Sequence, residues 1–122
     1  MDRYAKLITN MSVHAQKDYP VEACGIITSS FTYIPCKNLS PISKNAFILD
    51  PIKLLEYEDS TWGIYHSHPG DENPLPSEND VKHTIFDEYK FIVGFANKFY
   101  IYWYDYKLEL LRYEPFEERH LC

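Results

Sequence analysis

Apolar residues recur near the start of the chain at three- and four-residue steps. Tyr4, Leu7, Ile8, Met11 and Ala15 form one stripe, which predicts an amphipathic helix over about Arg3 to Lys17. Pro20 blocks its continuation and drives Tyr19 towards extended geometry. The pattern then changes to short apolar runs. Ala23 to Thr28 reads as a buried strand and Phe31 to Cys36 as a second, with Ser29-Ser30 as the turn between them. Ala46 to Leu49 is a brief extended segment. Asp50-Pro51 is a helix start, with Asp as cap and Pro at the first helical position, and predicts a short helix to about Glu58. Thr61 to His68 reads as a strand. Pro69 to Pro76, with three prolines and a glycine, reads as a loop, and Ser77 to about Tyr89 as a helix. Phe91–Ala96 and Phe99–Tyr106 predict a hairpin turning at Asn97-Lys98, and Leu108 to Glu114 adds a further strand. The class is α+β (mixed α/β): a sheet, mostly antiparallel late in the chain, with helices on one or both faces.

Composition narrows this picture. The chain has 122 residues, enough for one domain. Aromatic residues make up 16%, with eleven Tyr, which argues against a disordered chain. Twelve basic against eighteen acidic residues give a net charge of −6. That balance offers no basic footprint for nucleic acid or an anionic membrane surface. The apolar runs are short and broken by charge, so none predicts a membrane span, and the N-terminus lacks an apolar signal core. Cys24, Cys36 and Cys122 are odd in number and scattered, which suggests reduced thiols in a cytoplasmic setting. In the hairpin, Tyr100, Tyr102, Tyr104 and Tyr106 alternate with Ile101 and Trp103. The apolar pair is expected on the core; the tyrosine row either packs beneath a helix, the preferred reading, or forms an exposed docking strip.

Candidate chemistry lies in three pieces of sequence. In His66-Ser67-His68-Pro69, strand alternation points His66 and His68 to the same face, where their imidazoles can converge on one ion. In Ser77-Glu78-Asn79-Asp80, Ser77 reads as a helix cap that fixes Asp80 in the first turn. Two imidazoles and a carboxylate supply three ligands for Zn²⁺ and leave a fourth position for water, the pattern of a catalytic zinc site. Such a hydrolase needs one carboxylate outside the ligand set to take a proton from water. Glu22, at the mouth of the strand that starts at Ala23, is the best-placed candidate. Other residues read as background: Asp71 and Glu72 as loop rim, His83 as an exposed helix histidine, His14 and His120 as histidines without evident partners, and Cys24 as a buried thiol.

Together Glu22, His66-x-His68-Pro69 and Ser77-x-x-Asp80 resemble the motif of the JAMM/MPN-domain zinc metalloproteases. The Pro20-x-Glu22-x-Cys24-Gly25 and Asn45-x-Phe47-x-x-Asp50-Pro51 contexts are similar to prokaryotic and phage-tail-assembly members. Seven residues separate Pro69 from Ser77, where the family pattern has about six, an insertion that a loop accommodates at little entropic cost. The resemblance implies an MPN/cytidine-deaminase-like fold, with a central, mostly antiparallel sheet flanked by helices. It implies one metallopeptidase domain over residues 1–115, with 116–122 as a C-terminal tail. It implies that His66, His68 and Asp80 bind Zn²⁺, that Glu22 activates the water and passes its proton to the leaving amine, and that Ser77 helps to stabilise the oxyanion. The implied partner is a protein or peptide substrate, ubiquitin-like proteins included, cleaved at a peptide or isopeptide bond in the cytoplasm of a prokaryote or of a phage's host. Phage tail assembly is the favoured role. Processing of a ubiquitin-like or sulfur-carrier protein, and a non-catalytic MPN scaffold, are the alternatives.

Overall fold

The computed structural model describes residues 2–41, 47–69, 90–95, 98–104, 107 and 109–121. Helix α1 spans Arg3–Asp18 and is capped by the Asp2 carboxylate, which accepts from the Ala5 N–H at 2.8 Å. Its apolar stripe buries Leu7 and Met11. The short helix α2, Pro51–Glu56, starts as its sequence dictates: Asp50 accepts from the Ile52 N–H at 2.9 Å and Pro51 follows.

Among the described residues, six strands form one sheet: β1 Cys24–Thr28, β2 Tyr33–Cys36, β3 Thr61–Ser67, β4 Lys90–Phe95, β5 Lys98–Tyr104 and β6 Leu110–Pro115, in the order β2-β1-β3-β4-β5-β6. The pairing is antiparallel except between β3 and β4, which run parallel. A parallel neighbour requires a crossover, and residues 68–89 make that connection. The helix predicted over 77–89 lies outside the described residues. Ala46 does too; of the extended segment predicted there, Leu49 forms an isolated bridge to Asn38.

Strand alternation sorts the side chains into two cores. On one face, Leu7 and Met11 of α1 pack with Ile27, Tyr33, Tyr65, Ile92, Ile101, Phe116 and Leu121. On the other, Cys24, Ile26, Cys36, Phe47, Leu49, Ile64, Phe91, Val93 and Tyr102 form the second core, with Leu54 and Tyr57 against it. Burying each large apolar side chain contributes roughly 1.5–3 kcal/mol, so both faces need cover. Phe116 and Leu121, in the stretch read from sequence as a tail, are buried in the first core. Tyr4 helps to hold them there: its ring stacks on Phe116 at 5.4 Å and its hydroxyl donates to the Phe116 carbonyl at 2.8 Å.

The tyrosine row divides from Ile101 and Trp103 as the alternation predicts. Tyr102 is fully buried and stacks on Tyr113 at 5.7 Å. Tyr104 meets Phe91 edge-on at 5.8 Å. Tyr102 is therefore core, and Tyr100 and Tyr104 are half-buried beside it; Tyr106 lies outside the described residues.

Candidate metal centre

The centre is assembled where β1 begins and β3 ends. β3 lies between β1 and β4, so its histidines enter the middle of the sheet. His66 faces Cys24 of β1 and Val93 of β4 in register. It is 1% exposed, with the Phe47 ring stacked on its imidazole at 4.5 Å and 22°. His68 follows the strand, and its N–H donates to the Gly94 carbonyl at 2.8 Å, which extends the parallel pairing past the strand end. Both imidazoles lie on one side, as the His-x-His spacing predicts, and their Nε2 atoms face each other at 3.1 Å.

Glu22 arrives from the other direction. α1 ends at Asp18, whose carbonyl accepts from the Val21 N–H at 2.8 Å, and this turn delivers Glu22 two residues before β1. Its side chain is only 4% exposed. One ligand atom each from Glu22, His66 and His68 lie within 4.8 Å of one another, and among the described residues this is the cluster able to hold a metal ion.

The donor set fits zinc. Two ligand atoms at about 2.0–2.1 Å from a tetrahedral ion stand about 3.3 Å apart, close to the separation of the two Nε2 atoms. Imidazole nitrogens are ligands that zinc takes at catalytic sites, and a carboxylate beside them, here Glu22, can serve as a base. Burial removes competing water, so three convergent electron-rich groups favour a cation between them. Of the residues expected from sequence, Glu22, His66 and His68 are brought together; Ser77 and Asp80, with Asp71, Glu72 and His83, lie outside the described residues.

Two background readings are corrected. His14 has partners: its Nε2 is 3.0 Å from Asp18 Oδ2 and its Nδ1 is 2.6 Å from the Tyr33 hydroxyl. His120 lies 2.6 Å from Glu114 Oε1, and its Nδ1 accepts from the Glu117 N–H at 2.9 Å. The Asp18 partner follows from i, i+4 spacing on α1, and Glu114 and Glu117 lie six and three residues before His120; Tyr33, on β2, carries no local signal. Cys24 is a buried free thiol, as read, and burial pushes its pKa well above the ordinary thiol value. Cys36 is raised to about 11, mainly by burial.

Three residues escaped sequence reasoning as parts of the site. In the sequence Phe47 stands only as motif context. Ser67 was merely the residue between two histidines, yet its hydroxyl accepts from the Ala23 N–H at 2.8 Å. Asn38 lies in an irregular segment, and its amide donates to the Glu22 carbonyl at 2.9 Å. A polar residue inside His-x-His could have flagged Ser67; nothing local flags Asn38.

Comparison with known proteins agrees with this architecture. The solution structure of protein DSY2949 from Desulfitobacterium hafniense superposes with a TM-score of 0.70 at 20% identity, covering 96% of this chain and 94% of that one. The two therefore share a fold. Tail tip assembly protein K of Escherichia phage N15 is 39% identical over 82 residues, 62% of this chain and 32% of that protein. The chain thus spans about a third of that relative's length. The family of prokaryotic homologs of the JAB domain matches residues 4–101, taking in α1, Glu22 and both histidines. With that match over most of its length, the chain belongs to the prokaryotic JAB-domain family.

Proposed function

We propose that this protein is a zinc-dependent peptidase or isopeptidase that hydrolyses an amide bond without a covalent acyl-enzyme. The observation that carries the reading is the buried convergence of Glu22, His66 and His68. His66 and His68 are assigned as metal ligands. Asp80 is assigned as the third on the Ser77-x-x-Asp80 spacing. Zinc, when bound, supplies Lewis acidity to the scissile carbonyl and to the attacking water. Glu22 lies close enough to face the reacting groups without being the third ligand; its carboxylate takes the proton from water and returns it to the leaving amine. Ser77 donates to the developing oxyanion.

The domain is taken to run from residue 1 through Leu121, because Phe116 and Leu121 are buried in its core, with helices arranged about the sheet in the MPN/cytidine-deaminase-like manner. The likeness to a tail tip assembly protein favours a phage tail protein as substrate, acting in the host cytoplasm. A net charge of −6 favours a neutral or basic substrate surface. Among the described residues, no helix is long and apolar enough to cross a membrane.

The test compares wild type with Glu22→Gln. Both should bind zinc, while cleavage of a tail-protein or ubiquitin-like fusion substrate should fall about 10²–10⁴-fold in the variant. A zinc-loaded wild type that cleaves none of these substrates would favour the non-catalytic scaffold.

A further inference from the structure

We infer that Asn38 and Ser67 are positioning residues that clamp a single peptide plane, Glu22–Ala23, and thereby aim the Glu22 carboxylate at the histidine pair. The inference rests on the proposed role of Glu22 and adds to it two residues that act through its backbone.

The two polar groups of that peptide are gripped by side chains from different parts of the chain. The Glu22 carbonyl accepts from Asn38 Nδ2 at 2.9 Å. The Ala23 N–H donates to Ser67 Oγ at 2.8 Å, and the Ser67 N–H returns a bond to the Ala23 carbonyl at 2.9 Å. Ser67 stands between His66 and His68, so one backbone segment carries both histidines and one jaw of the clamp. The other jaw is fixed in its turn. Asn38 Oδ1 accepts from the Ser40 N–H at 3.0 Å and from the Ile48 N–H at 3.1 Å. The Leu39 N–H donates to the Ile48 carbonyl at 3.0 Å. With two N–H groups aimed at its oxygen, the Asn38 amide has one sensible orientation, which points its NH₂ at Glu22.

Holding both ends of a peptide plane restrains the backbone angles on either side of it, ψ of Glu22 and φ of Ala23. Glu22 precedes β1, so these bonds fix its backbone just before regular strand pairing begins. A backbone rotation of about 15° moves a glutamate carboxylate by about 1 Å, and displacements of about 1 Å can cost about 10²-fold in rate.

Asn38→Asp separates positioning from turn formation. It keeps an acceptor for the Ser40 and Ile48 N–H groups and replaces the donor to Glu22 with an oxygen. Ser67→Ala removes the acceptor for Ala23, and Ser67→Thr retains it. The readouts are zinc affinity, the visible absorption of the Co²⁺-loaded protein, exchange of the Ala23 amide, and kcat and KM. We expect Asn38→Asp and Ser67→Ala to bind zinc, to lose about 10–100-fold in kcat at little-changed KM, and to shift the Co²⁺ spectrum in the sense of Glu22→Gln. Ser67→Thr should match wild type. A folded Asn38→Asp with wild-type kcat, Co²⁺ spectrum and Ala23 exchange would overturn the inference. If Asn38→Asp does not fold, Ser67→Ala against Ser67→Thr decides it by the same criteria. If wild type binds Co²⁺ but cleaves no substrate, the hydrolase reading fails separately. The Co²⁺ spectra and Ala23 exchange then decide the clamp: unchanged values overturn it and shifted ones support it.

Discussion

Two histidine–carboxylate groups lie on opposite faces of the same sheet and do different things with the same chemistry. On the α1 face, Asp18, His14 and Tyr33 form a closed chain. His14 Nε2–H donates to Asp18, and its Nδ1 accepts the Tyr33 O–H; donors and acceptors alternate. Burial lowers the His14 pKa against the opposing pull of Asp18, consistent with a neutral ring in this chain. On the opposite face, the Glu22 carboxylate and the imidazoles of His66 and His68 converge. A histidine beside a carboxylate is thus no site by itself. Convergence of electron-rich atoms at a buried strand end can hold a cation; alternation along a helix and its neighbouring strand is complete without one.

The strongest way to break this contrast is to delete one histidine from each group. His68→Ala should drop metal content from about one zinc per chain to little, while His14→Ala should keep its zinc, both read by elemental analysis. Equal zinc in the two variants would erase the distinction. Gly25→Ala is the next probe. An added Cβ would lie 2.5 Å from the ring and hydroxyl oxygen of Tyr33, so Tyr33 must shift and its contact with His14 must break. The expected cost is about 1–3 kcal/mol in urea unfolding, with zinc stoichiometry unchanged.

The smallest effect is on pH dependence. The folded pKa of His14 lies below its usual 6.5, so the unfolded chain binds more protons there. Its contribution to stability is complete above that value and is lost as pH falls from there through the folded pKa. Urea midpoints measured from about pH 8 to about pH 5 should fall more steeply for wild type than for His14→Gln. Glu114, held low first by its hydrogen bond to His120 and then by Arg119, acts in the same sense, but below its usual 4.5.

Much of this arrangement was legible in the chain because its causes are local. The stripe from Tyr4 to Ala15, the Asp50-Pro51 start and the alternation through Tyr100–Tyr104 each encode one element in adjacent residues. The His66/His68 pair was legible for the same reason, since two residues of one strand two apart share a face. Glu22 was found only by asking what a hydrolase lacks. The Tyr33 partner of His14 was missed, as were the contacts of Asn38 and Ser67, because they join segments remote in sequence. Asp18, four residues beyond His14, and Glu114 and Glu117, six and three residues before His120, are local and could have been read.

By itself the sequence determined the helix and strand periodicities, the identities of the chemically competent residues and the single face shared by the two histidines, because each depends on neighbours within a few positions. The tertiary structure alone decided that β3 lies between β1 and a parallel β4, and that Glu22 meets those histidines. It also decided that Asn38 and Ser67 grip the peptide between Glu22 and Ala23. Those outcomes depend on which strands pair and in which register, and that choice is made by burying two apolar faces at once.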